Sequence, residues 1–105
     1  MNMKTWLETT GLTTAEEQFN SPPTRPYVTF SDDITAGYLD LSHKQLVHNM
    51  SVRLYESAID TVDEALIEAL ITSLPETPRY NKQREWDDFE KFFVTIYDFV
   101  IEETE

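Results

Sequence analysis

Two histidines, His43 and His48, stand five residues apart, and carboxylates occur as adjacent pairs at Asp32-Asp33 and Asp87-Asp88. These residue types hold metals or move protons. Their spacing points to neither use. The histidines lack His-Glu-x-x-His or another ligand spacing, and the acid pairs lack the Asp-x-Asp-x-Asp-Gly order of a calcium loop. Turn formation and solvation account for the acid pairs, and a histidine on the inward face of a strand accounts for His48. The chain has no cysteine, so disulfides, thiolate zinc sites and cysteine nucleophiles are excluded. No serine stands in a Gly-x-Ser-x-Gly setting, and two glycines in all leave no phosphate-cradling loop. Any two of the twenty acidic residues meeting in space would make an acid–base pair, which sequence leaves open. We expect no catalytic residue, no metal and no cofactor.

Twenty acidic residues against eight basic ones give a formal charge of −12. Such a chain repels nucleic acid and anionic membrane surfaces. Eight carboxylates and one lysine fall between Glu85 and Glu105. Solubility explains this. So would a basic protein partner, or a surface that stays near DNA without adsorbing to it. Trp6, Trp86, Tyr80, Tyr97 and the phenylalanines near Phe92 are able to stack bases, but with so little positive charge core packing is the better account.

The elements that must position these residues follow from periodicity. The 105 residues, 40% of them hydrophobic, make a single domain over 1–105 with one modest core. No apolar run has the length of a signal peptide or a membrane span, so a soluble protein without a cleaved leader is expected. Met3, Trp6, Leu7 and Thr10 fall at helical spacing up to Gly11. Thr14 followed by Glu17 resembles a capping box for another short turn. Prolines at 22, 23 and 26 exclude helix from "FNSPPTRP". "YVTF" reads as a strand ended by the polar run "SDDITAG", with a weaker extended piece "YLDL" after it.

The strongest strand signal is "QLVHNMSVRLYE", with Leu46, His48, Met50, Val52 and Leu54 on one face. The period then changes. A helix is expected over Asp60–Leu74, with Asp60 as N-cap, Asp63 and Glu64 in the first turn, and Pro75 as stop. Its inward face is read as Val62, Ala65, Leu66, Ala69, Leu70 and Leu74. "RYNKQREWDD" reads as a weak strand. "FEKFFVTIYDFVIE" reads as a strong one, apolar on both faces, with Phe92, Val94, Ile96, Asp98 and Val100 opposite Phe93, Thr95, Tyr97, Phe99 and Ile101. A strand apolar on both sides needs cover on both sides. The main helix is one cover, and the N-terminal helix or a neighbouring subunit the other. The fold class is therefore α+β: a single antiparallel or mixed sheet of about four to five strands, one main helix across it, and a short N-terminal helix.

Taken in order, "FNSPPTRPYVTF", "SDD", "NMSVRLYES", "DEALIEALITSL" and "FFVTIYDFVIE" resemble a family of small tail-assembly proteins of siphophages. The resemblance runs from Trp6 to Glu102 and rests on Pro26-Tyr27, Arg53-Leu54-Tyr55, the Asp63–Leu74 helix and Phe93–Phe99. The segment Thr35–Lys44 departs from the family pattern. The resemblance implies a tail terminator or tail-to-head joining subunit in the virion tail or neck, assembled in the host cytoplasm. It implies partners: other copies of itself, commonly in a hexameric ring and monomeric until it meets a tail end, the tail tube protein, and neck or head-completion proteins. DNA would pass without sequence-specific binding, no membrane would be involved, and the protein would not be an enzyme. Contact surfaces are expected on the Ser31–Lys44 loop and the strand edges, at Asp32, Asp33, Tyr38, Leu39, Phe92, Val94 and Ile96. The rival reading is an acidic DNA mimic or inhibitor that binds a basic host partner, which should carry regularly spaced carboxylates on one face. A small enzyme is a third.

Overall fold

A computed structural model describes residues 2–38, 44–74 and 79–104. Helix α1, Met3–Glu8, starts where the Asn2 side chain accepts the Thr5 N–H at 3.0 Å. It ends at Gly11, whose φ of 86° is the left-handed conformation glycine adopts without strain. Met3 and Leu7, one turn apart, are buried.

Thr14 does not open a helical turn. It lies in strand β1, Thr13–Glu16, which pairs in parallel with the start of β2, Tyr27–Tyr38. The Thr14 hydroxyl donates back to the Leu12 carbonyl at 3.0 Å instead of capping. Glu17, at φ 65°, gives its N–H to Phe30 O at 2.7 Å. A local capping pattern loses here to a sheet partner about a dozen residues away.

The acidic run does not end a strand either. β2 continues from Tyr27 through Asp32, Asp33, Ala36 and Gly37 to Tyr38, each residue paired with β3, Lys44–Glu56. The polar composition reflects exposure on a long hairpin, not a break in pairing. The expected loop Ser31–Lys44 is thus strand up to Tyr38, and Leu39 with the rest of "YLDL" lies outside the described residues. β4, Tyr80–Asp87, and β5, Phe92–Thr104, complete a five-stranded mixed sheet in the order β1-β2-β3-β5-β4. β5 starts at Phe92 rather than Phe89, because 87–91 form a turn.

One face of the sheet carries the core. Val28 and Phe30 from β2, Met50, Val52 and Leu54 from β3, and Tyr97, Phe99 and Ile101 from β5 are buried there. Both helices cover this face. α1 packs Met3 and Leu7 into the cluster and sets Trp6 edge-on to Phe99, with centroids 6.1 Å apart. The N-terminal helix therefore does not shield the opposite side of β5.

Helix α2, Thr61–Thr72, is capped by Asp60, whose carboxylate accepts the Val62 N–H at 2.8 Å. Its inward stripe is Glu64, Ile67 and Ile71, continued by Leu74. This corrects the expected face. Val62 is 65% exposed, Leu66 39%, and Ala65 and Ala69 also face out, while Leu70 is half-buried. The helix is apolar on two stripes, so spacing alone does not choose between them. Pairing Glu64 with cations on β4 turns the Ile67/Ile71 stripe onto the sheet.

β1 pairs only with Tyr27–Phe30, and β4 only with Phe92–Phe99. Beyond those residues β2, β3 and β5 run on as a three-stranded extension. Its outer edges have no strand partner among the described residues. The molecule is correspondingly long, 51 × 27 × 22 Å.

A candidate assembly surface

The sheet face away from the helices is the surface the sequence marked through β5. Tyr27, Tyr55 and Phe92 reach it because residues at alternate positions on paired strands share a face. The register places Tyr27 opposite Tyr55, and Tyr55 opposite Val94. Tyr27 and Tyr55 stack with centroids 4.7 Å apart and planes 19° from parallel. Phe19 meets Tyr27 edge-on at 5.4 Å, and Tyr55 meets Phe92 at 5.7 Å. The Arg25 guanidinium lies 5.1 Å over the Phe92 ring, and its Nε–H donates to Ser57 Oγ at 2.9 Å. Here the proline-rich approach does its work. It ends in a cis Arg25–Pro26 bond and delivers Arg25 and Tyr27 side by side to this corner. From there apolar residues follow β5 through Val94 and Ile96, both half-buried, and, past the exposed Asp98, to Val100, which is 45% exposed.

Phe92, Val94 and Ile96 are thus brought together. Asp33 is on the same face but far along it, exposed, with its carbonyl accepting the Asn49 side-chain N–H at 3.3 Å. Asp32 is on the other face. Its carboxylate oxygens sit 3.0 and 2.9 Å from Nδ1 of buried His48, so it belongs to the rim of the core. Tyr38 is the last residue of β2, paired with Lys44. Spacing missed Phe19, Arg25, Tyr27 and Tyr55, because their grouping depends on which strands pair.

On the helix side the charges are arranged differently. Glu64 is buried, and its Oε1 meets Lys82 Nζ at 2.9 Å and the Arg84 guanidinium. Burial pushes the Glu64 carboxyl up, but Lys82 and Arg84 outweigh it and hold the group below its ordinary value. Glu64 in turn raises Lys82. Glu68 accepts from Tyr80 at 2.9 Å, from Tyr97 at 3.1 Å and from Lys82 at 3.2 Å. Burial first, then the Glu68 charge, pushes the Tyr97 hydroxyl far above its ordinary range. This network fastens α2 to β4 and β5. Among the described residues no cluster of three or more His, Cys, Asp or Glu side chains is placed to hold a metal ion. No described helix is long and apolar enough to cross a membrane.

No family model matches the sequence, and no curated protein matches it. Among solved structures, a chain of the virion of a native gene transfer agent particle matches with a TM-score of 0.60 at 13% identity. The match covers 90% of this chain and 81% of that one. What the two share is the fold.

Proposed function

We propose that the chain is a phage-type virion structural protein, a tail terminator or tail-to-head joining subunit that assembles into a ring. The reading rests on the open face of the sheet. Among the described residues the track Phe92, Val94, Ile96 and Val100 and the Tyr27–Tyr55 stack are covered only in part, by Phe19 and Arg25 at one corner, since both helices lie on the other side. A like subunit set against this face would bury it, and a heterologous contact of that kind makes a ring where its rotation closes. The shared fold with a chain of a gene transfer agent virion supports the same direction. Within such a ring the net charge of −12 would let DNA pass without adsorbing. A neutral or basic lumen in an assembled ring would contradict this part.

The acidic-decoy alternative needs carboxylates regularly displayed on one face. Here Glu64 and Glu68 are engaged with Lys82, Arg84 and tyrosines, Asp60 caps α2, and Asp32 faces His48. These four acids serve the fold and are not part of any regular display.

Native mass spectrometry of the purified chain, alone and with tail tube protein, tests the proposal. A ring is expected in at least the second sample. A monomer in both would overturn it.

A further inference from the structure

Among the described residues the most exposed large apolar side chain is Phe89, 92% accessible, at the tip of the turn between β4 and β5. A flexible loop would let such a ring fold back against the protein. This turn holds it out. Asp87 Oδ1 accepts the N–H groups of Phe89 at 3.0 Å and Glu90 at 2.9 Å, and the Lys91 N–H bonds Asp87 O at 2.8 Å. Lys91 adopts φ 59° to close the turn, and its ammonium meets Asp88 at 2.9 Å. A preformed turn loses little entropy when a partner engages it, and a rigid exposed aromatic beside a second one is what a binding anchor requires. Phe92, half-buried, lines the same groove, as does Trp86, which packs on Phe93 at 4.5 Å. The groove, of about 440 Å³, is completed by Val94 and by Glu85, Asp87 and Asp88.

We infer that this groove docks a segment of a different polypeptide that carries arginine or lysine beside aliphatic side chains. The inference deepens the assembly reading by naming the chemistry of a neighbour, and rests on it for the existence of one. Charge selects the occupant. The Glu85 and Glu90 carboxylates make no ion pair among the described residues. A groove of mixed polar and apolar lining that carries this much acid favours a cationic ligand with apolar side chains beside the charge and repels an acidic one. A second copy of this chain, at −12, fits poorly at this acidic end of the face, so the contact between like subunits would fall on Ile96 and Val100, beyond the groove. Four of its eight cations are already engaged: Lys82 and Arg84 by Glu64, Lys91 by Asp88, and Arg25 by Phe92 and Ser57.

The test is calorimetric titration of the full chain with three capped hexapeptides: alternating Arg-Leu, alternating Arg-Gly and alternating Glu-Leu. The Arg-Leu peptide is expected to bind at least tenfold more tightly than Arg-Gly, with no binding of Glu-Leu. Phe89→Ala should weaken Arg-Leu binding at least tenfold. Glu85→Gln should weaken it several-fold and flatten its salt dependence, and Asp33→Asn, far along the sheet, should leave it unchanged. Phe89 contacts too little of the core for its loss to unfold the chain. Equal binding of Arg-Gly, or an unchanged Phe89→Ala, would overturn the inference. So would a chain whose self-association disappears with Phe89→Ala, which would make a second copy the occupant. The ring reading fails separately: Arg-Leu binding that survives in a chain never found as a ring upholds the groove and removes the ring.

Discussion

Replacing Glu56 with glutamine should make the chain more stable at pH 8 and leave it nearly unchanged at pH 5. Glu56 ends β3 beneath the start of α2 and is only 2% exposed. One carboxylate oxygen accepts the Asp60 N–H at 3.1 Å, and the other has no hydrogen-bond partner. Burial first, then the neighbouring Asp63 carboxylate, push its pKa from 4.5 to about 7. A proton on Glu56 gives it an O–H to set toward Asp63, which two carboxylates cannot arrange. The folded state therefore holds this proton more tightly than the unfolded chain. The stabilisation is complete below pH 4.5 and is lost as pH rises through about 7. At about 1.4 kcal/mol per pH unit the full loss is about 3 kcal/mol. Competition with Asp63 for the proton brings the expected loss to about 2 kcal/mol. Glutamine keeps an oxygen for the Asp60 N–H, offers its amide N–H to Asp63, and carries no charge to desolvate. Urea unfolding followed by tryptophan fluorescence at pH 5, 6, 7 and 8 reads the difference directly. Repulsion among the remaining acids falls on both proteins alike and cancels. If the two proteins lose stability in parallel, or Glu56→Gln is the weaker at pH 8, the account of this buried carboxyl is wrong.

Three further outcomes are expected. Ile67→Ala should cost about 2–4 kcal/mol of unfolding free energy and Leu66→Ala less than about 1; the opposite order in thermal melts would return α2 to the face its spacing first suggested. Glu64→Ala should destabilise the chain by about 1–3 kcal/mol, because Lys82 and Arg84 lose their shared partner; pairing with Lys82→Met in a double-mutant cycle should show coupling. Ile96→Lys and Val100→Lys should abolish ring formation by sedimentation velocity while the monomer stays folded by circular dichroism, and rings that persist in both would exclude the open face as the contact.

Which parts could be read in advance follows from the range of the interactions that fix them. The alternation in β3 persists over ten residues, so period two identified that strand and its faces before any pairing was known, and β5 was legible as a long run of aromatic and β-branched residues apolar on both sides. The Asp60 cap and the acids after it located the start of α2 for the same local reason. Where two local signals compete, tertiary partners decide. Thr14 and Glu17 read as a cap, but Phe30 offered a strand. Asp32, Asp33 and Gly37 read as a break, yet β3 supplied an unbroken ladder. The inward face of α2 was undecidable from apolar spacing, because the residue that orients it, Glu64, is charged and answers to cations on β4. The Tyr27–Tyr55 stack lies one level higher again. Alternation puts each ring on a face, but only the register of β2 on β3 brings them together. Phe89 looked like strand because it adjoins a real one, and only the Asp87 hydrogen bonds reveal the turn.

The uneven lengths of the strands have a mechanical consequence. Where β1 and β4 stop, the ribbon of β2, β3 and β5 goes on as a cantilever from the helix-covered root, its outer edges without a strand partner among the described residues. Any rotation at the root is magnified along the beam, so identical roots can present their tips at different spacings without repacking the core. Backbone amides near Val52 should exchange with solvent slowest, and those toward Val47 progressively faster, as the lever arm grows.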